Sequence, residues 1–128
     1  MPQEGRACRQ GELPDRVVVG SRFAKVFDSL SRVCYDDARQ RGFYDRERNE
    51  AEAIALMITE LAEAVEGARH GNPPDEHLPD FDSVEVELAD CIIRIADWAG
   101  HCGYRVGAAL VAKMNYNATR PYKHGKEF

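Results

Sequence analysis

The sequence predicts an all-α protein, a bundle of four helices, on three observations. Apolar residues recur at helical spacing in four separate stretches. Those stretches are separated by Gly42, by Gly71-Asn72-Pro73-Pro74 and by Gly103, and the last gives way to Arg120-Pro121. Nowhere do apolar and polar residues alternate as in a half-buried strand. The 128 residues suffice for one domain, and 44% apolar content is ordinary for a globular chain. A core of that size is small, so burial against a second subunit would add to it.

Residues 1–16 carry Gly, Pro and charge without periodicity and are expected to form a flexible N-terminal arm, followed by a helical domain over 17–128. The first helix runs from Val17 to about Arg41, with Phe23, Val26, Phe27, Leu30, Val33 and Cys34 on its apolar face. Gly42 ends it, and Phe43 to Arg48 form a short aromatic and charged connector. Asn49 with Glu52 reads as a capping box for a second helix that reaches about Gly71. Its core face is expected to be Ile54, Met57, Ile58, Leu61 and Val65. Asp75 to Phe81 is a loop, and Asp82 with Glu85 forms the box that opens a third helix, ending near Gly100. Gly103 breaks the chain before a fourth helix over roughly Tyr104 to Thr119, which stops ahead of Pro121. The tail, Tyr122 to Phe128, is basic.

Composition narrows the function. A net charge of -5 argues against nucleic acid as a partner, since phosphate backbones require clustered Lys and Arg. Cys8, Cys34, Cys91 and Cys102 form no C-x-x-C pair, which argues against a zinc ribbon. Cys34 and Cys91 lie in apolar helical stretches and read as buried free thiols. No apolar run approaches the ~20 residues that cross a bilayer, and Met1 to Arg16 hold no signal-peptide core. The expected setting is soluble, reducing and cytoplasmic, with no membrane partner.

The chemistry concentrates on the third helix. On a helical wheel Glu87, Asp90, Arg94 and Asp97 share one stripe, while Val84, Leu88, Cys91, Ile92, Ile93, Ile95, Trp98 and Ala99 fill most of the remainder. A helix apolar nearly all round is expected to be buried, so its acidic stripe must meet something. Asp97 is expected to pair with Arg94, and Trp98 to serve a core or an interface. The second helix carries Glu60 and Glu63 one turn apart on one side, whereas Glu66 points elsewhere and reads as solvated. An antiparallel hairpin of these helices brings Glu60-x-x-Glu63 to Glu87-x-x-Asp90. Four carboxylates in a partly dry site repel one another and require a cation. All-oxygen donors at that density suit Mg²⁺, or Mn²⁺. A di-iron centre would require Glu-x-x-His, which neither helix has.

The fourth helix offers the opposite charge. Lys113, Asn117 and Arg120 share a face, and Tyr122, Lys123, His124 and Lys126 follow. Such a group suits phosphate oxygens, although Lys113 and Arg120 also complement the negative end of their helix. His70, His77 and His101 lack metal-ligand spacing and read as surface or capping residues.

Together these segments resemble the MazG-like all-α nucleotide pyrophosphohydrolases. The resemblance is carried by Glu60-Leu61-Ala62-Glu63 and Glu87-Leu88-Ala89-Asp90, in that order and spacing. Gly42-Phe43-Tyr44, Arg69-His70-Gly71-Asn72-Pro73-Pro74 and the closing run from Lys113 to Lys126 are similar as well, so it spans about Val17 to Phe128. Thr59 precedes Glu60 where many members carry a further glutamate. The resemblance implies a four-helix MazG-like bundle completed by dimerisation or tetramerisation. It implies hydrolysis of a (deoxy)nucleoside triphosphate between the α and β phosphates, giving a monophosphate and pyrophosphate. Glu60, Glu63, Glu87 and Asp90 would be the catalytic and metal-binding set, and Lys113, Asn117, Arg120 and Lys123 would meet the phosphates. Glu63 is the candidate general base, and Phe43, Tyr44 or Trp98 could stack a base. Two other readings are open: a non-catalytic metal- or nucleotide-binding oligomerisation module, and a relative restricted to dUTP, dCTP or phosphoribosyl-ATP.

Overall fold

A computed structural model describes residues 16–127, so the expected arm over 1–16 lies, but for Arg16, outside the described residues. The chain is all-α: α1 (Arg16–Gln40), α2 (Glu50–Arg69), α3 (Ser83–Cys102), α4 (Val106–Ala118) and a single 3-10 turn, Tyr122–Gly125. Helix ends follow local chemistry. Asn49 caps α2, its side-chain oxygen accepting from the Ala51 and Glu52 N–H groups. Glu52 does not complete the expected box, because its carboxylate pairs with Arg46 instead. At α3 the box does form, with Glu85 accepting from the Asp82 N–H at 2.9 Å. Gly103 closes α3 in the left-handed conformation, φ 69.

α3 packs on α1 and on α2, while α4 packs on α1. The α2–α3 hairpin is set by an ordered clasp. Asn72 Oδ1 accepts from the Val84 N–H at 2.9 Å, the Asp75 N–H donates to the Phe81 carbonyl at 2.8 Å, and Gly67 admits the Ser83 side chain. Along α1 the chain runs antiparallel. Gly100 lies so close to Ser31 that a Cβ would overlap its carbonyl oxygen, and Gly107 lies against Ala24 and Phe27. Val111 reaches Gly20 near the start of α1. α1 therefore spans the Gly103 break and holds α3 and α4 in one line.

The core is thin. Phe27, Cys34 and Ala96 form its centre, with Phe23, Ile95 and Val106 packed around them. Among the described residues no large side chain is fully enclosed. Cys34 and Cys91 are buried free thiols as expected. The expected core face of α2 is a correction. Ile54, Ile58, Leu61 and Val65 are 46–60% exposed, and the buried residues of α2 are Ala53, Glu60 and Ala64. The physical reason is that α2 approaches α3 through its small-residue side, and among the described residues no other helix covers the larger stripe. α3, expected to be buried nearly all round, likewise leaves Leu88, Ile92 and Ile93 about half exposed, while Trp98 is buried.

Candidate metal centre

The hairpin register builds the site. With Gly67 against Ser83 and Cys91 against the Met57 carbonyl, residues of α2 and α3 that face each other have numbers summing to about 150. That register sets Glu63 opposite Glu87 and Glu60 level with Asp90. Carboxylate oxygens of Glu60, Glu63 and Glu87 come within 4.8 Å of one another. Glu60 is buried, Glu87 half-buried and Glu63 exposed, so the trio opens from the helix interface to solvent.

Burial pushes the Glu87 carboxyl up, and a hydrogen bond from its protonated form to Glu63, with the charges of Glu63, Glu60 and Asp90, pushes it further. Asp90 is pushed up by burial and by Glu60, held down by Arg94, and pushed up by Asp75, which the loop folds back towards it. The donor set is all oxygen and anionic, which fits a hard divalent cation. Glu60, Glu63 and Glu87 are the residues placed to hold one, with Asp90 beside them.

Beside the trio lies a cavity of ≈ 560 Å³ between α1 and α3. Leu30, Val33, Phe43 and Ile93 supply apolar wall, Asp37, Arg41 and Arg48 supply charge, and Glu60, Asp90 and Arg94 are shared with the acidic cluster. Its volume falls in the range of small-molecule sites, ~300–1,000 Å³. Of the three aromatic residues expected to stack a base, Phe43 alone lines it.

Tyr44 and Trp98 are committed elsewhere. Tyr44 donates its hydroxyl proton to Asp97 at 2.8 Å, and its ring stacks on His101 with centroids 4.5 Å apart. Trp98 also lies against His101, with ring centroids 5.1 Å apart. Arg48 completes the knot through a buried ion pair with Asp97 at 3.3 Å, its guanidinium also lying over the Tyr44 ring. Burial and the hydrogen bond to Asp97 push the Tyr44 hydroxyl well above its ordinary value. The expected Arg94–Asp97 pair is thus corrected: Asp97 takes Arg48 and Tyr44, and Arg94 Nε instead donates to Glu60 across the α2–α3 interface. The reason is reach and burial, since Asp97 points inward to the connector while Arg94 lies over α2. His101 is exposed as expected, and its ring takes part in this aromatic stack. His70 is exposed and meets the end of α2, and Glu66 is exposed as expected.

The cationic set stands apart. Lys113 and Arg120 lie over the Tyr116 ring, at 4.8 and 6.0 Å, and Lys123 over Tyr122 at 5.9 Å. Asn117 Oδ1 is buried with no hydrogen-bond partner among the described residues. Because α4 follows α1 away from the hairpin, Lys113, the nearest of this group, lies roughly 35 Å from Asp90 along the helix line at 1.5 Å per helical residue. One chain brings the carboxylates together and does not bring Lys113, Asn117, Arg120 or Lys123 to them. Arg41, Arg48 and Arg94 are the cations near the carboxylates in the same chain. Sequence reasoning assigned none of them to the site, although Arg94 shares the stripe of Glu87 and Asp90.

No family model matches this chain, and no curated protein and no solved structure matches it. Among the described residues no helix is long and apolar enough to cross a membrane.

Proposed function

We propose that this protein is a Mg²⁺-dependent nucleoside triphosphate pyrophosphohydrolase of the MazG-like kind, acting on (d)NTPs to give (d)NMP and pyrophosphate. The observation that carries the reading is the convergence of Glu60, Glu63 and Glu87 within 4.8 Å, next to a cavity of nucleoside size. A divalent cation bound there supplies neutralisation of phosphate charge and a more acidic water. Glu63, the exposed member of the trio, would take the proton from the attacking water. The apolar wall of Leu30, Val33, Phe43 and Ile93 receives the nucleoside and excludes water around it. The bond between the α and β phosphates breaks as the water's oxygen bonds to phosphorus, and pyrophosphate leaves.

Lys113, Asn117, Arg120 and Lys123 enter this reading from a second copy. The α2 stripe of Ile54, Ile58, Leu61 and Val65 and the open flank of α3 are apolar surfaces that a homodimer or homotetramer would cover. A set of phosphate ligands roughly 35 Å or more from its own carboxylates would meet another chain's.

The test is incubation of the purified protein with a panel of NTPs and dNTPs, with Mg²⁺ and with EDTA, products being separated by chromatography. Monophosphate and pyrophosphate in equal amounts, formed only with metal, are expected. Turnover of dUTP, dCTP or phosphoribosyl-ATP alone narrows the substrate. No turnover of any nucleotide by folded, metal-loaded protein overturns the enzyme reading in favour of a binding module.

A further inference from the structure

Arg94 has two environments within reach. Its Nε–H donates to Glu60, the buried member of the carboxylate trio. Its side chain is still 36% exposed and forms part of the wall of the neighbouring cavity. A buried carboxylate requires a partner, and among the described residues Arg94 is the cation paired with Glu60. The guanidinium thus takes the place at Glu60 that a metal ion would take.

We infer that Arg94 is an exchangeable counter-ion: it neutralises Glu60 while the acidic site lacks metal, is displaced when a divalent cation arrives, and then binds substrate phosphate from the cavity wall. The inference rests on the proposed metal site. Cation and guanidinium compete for Glu60, because like charges at contact distance repel. A displaced Arg94 has the cavity as its nearest opening, and there its planar fork matches phosphate oxygens bidentately. Metal and phosphate would then favour each other's binding, since each draws the site towards the same arrangement. Lysine could neutralise Glu60 without reproducing that bidentate contact.

Direct Mn²⁺ binding, followed by electron paramagnetic resonance, tests this without relying on turnover. If Arg94 competes with metal, Arg94→Gln binds Mn²⁺ about fivefold or more tightly than the wild type, because the competing state is gone. Its KM for nucleotide rises about tenfold with kcat little changed, as for a lost uniform phosphate contact. A purely structural Arg94 gives the opposite sign, weaker Mn²⁺ binding, because Glu60 loses its support; equal or weaker binding overturns the inference. Should Arg94→Gln not fold, the wild type decides. The Arg94 Nε–H signal in a ¹⁵N spectrum, assigned by its loss in Arg94→Lys, is expected to be protected without metal and to shift and exchange with Mg²⁺. A signal unchanged at saturating Mg²⁺ overturns the displacement. A wild type that binds no Mn²⁺ overturns the metal site itself, a failure distinct from a wild type that binds it and a variant that binds it no better.

Discussion

The acidic end of the molecule, where α2 meets α3, and the cationic end, at α4, differ in how they are assembled. At the first, four carboxylates from two helices are gathered by a hairpin whose register is fixed at several points: Gly67 on Ser83, Asn72 on Val84 and Cys91 on Met57. At the second, Lys113 and Arg120 share one aromatic ring, Asn117 Oδ1 is buried without a hydrogen-bond partner among the described residues, and α4 has α1 as its main neighbour. One end is gathered within a single chain. Under the proposed function the other would be completed by a second copy, and the site would be local in its metal ligands and non-local in its phosphate ligands.

The largest effect expected concerns the acidic end alone. Glu63→Gln and Asp90→Asn should each lower turnover by about 10³-fold, with the helical circular dichroism retained; substantial activity in both would remove the carboxylates from the mechanism. Next comes a test of whether the two ends belong to different chains. Glu87→Gln and Lys113→Ala should each be inactive alone, and mixing them should recover about a quarter of wild-type activity, since half of randomly paired dimers are mixed and each holds one intact site of two. No recovery from stably mixed dimers would place both sets in one chain after all. A smaller effect is expected at the surface between the ends. Ile58→Glu puts a charge in the exposed α2 stripe and should shift the light-scattering mass towards the monomer, reducing activity in parallel. An unchanged mass would show that the stripe is not the interface.

The smallest effect is a pH dependence confined to the acidic end. The Glu87 and Asp90 carboxyls are held above their ordinary values in the fold, so between the unfolded and folded values the native state binds more protons than the unfolded one. Metal-free stability should accordingly fall as pH rises through that window. Saturating Mg²⁺, which favours the ionised carboxylates, should flatten or reverse the slope of Tm against pH. A slope insensitive to Mg²⁺ would mean that the carboxylates titrate without reference to metal.

Much of this was legible in the sequence, for reasons that also explain what was not. Periodicity and punctuation located all four helices, and the Asp82–Glu85 box was read correctly because capping is a local interaction. The paired carboxylates followed from spacing alone, since i, i+3 residues share a helix face whatever surrounds them. Periodicity identifies an apolar face without saying what covers it. Hence the stripe through Ile58 and Leu61 reads as core, although this chain covers the Ala53 and Ala64 side instead. Asp97 was assigned a neighbour one turn away, whereas its partners Arg48 and Tyr44 come from the connector, 49 and 53 residues distant in sequence. Arg94 was visible as a charge on the acidic stripe, but its bond to Glu60 depends on the rotation of α3 against α2, which spacing within one helix does not determine.

α1 lies across the joint at Gly103, touching α3 through Gly100 on one side and α4 through Gly107 on the other. It acts as a splint, and the distance between the acidic and cationic groups becomes a fixed length rather than an adjustable one. For two copies related by a two-fold axis, a fixed length has a consequence for stoichiometry: any pairing that brings the first copy's α4 to the second copy's carboxylates brings the second's α4 to the first's at the same time. Sites then form in twos or not at all, and a half-built dimer is ruled out by geometry.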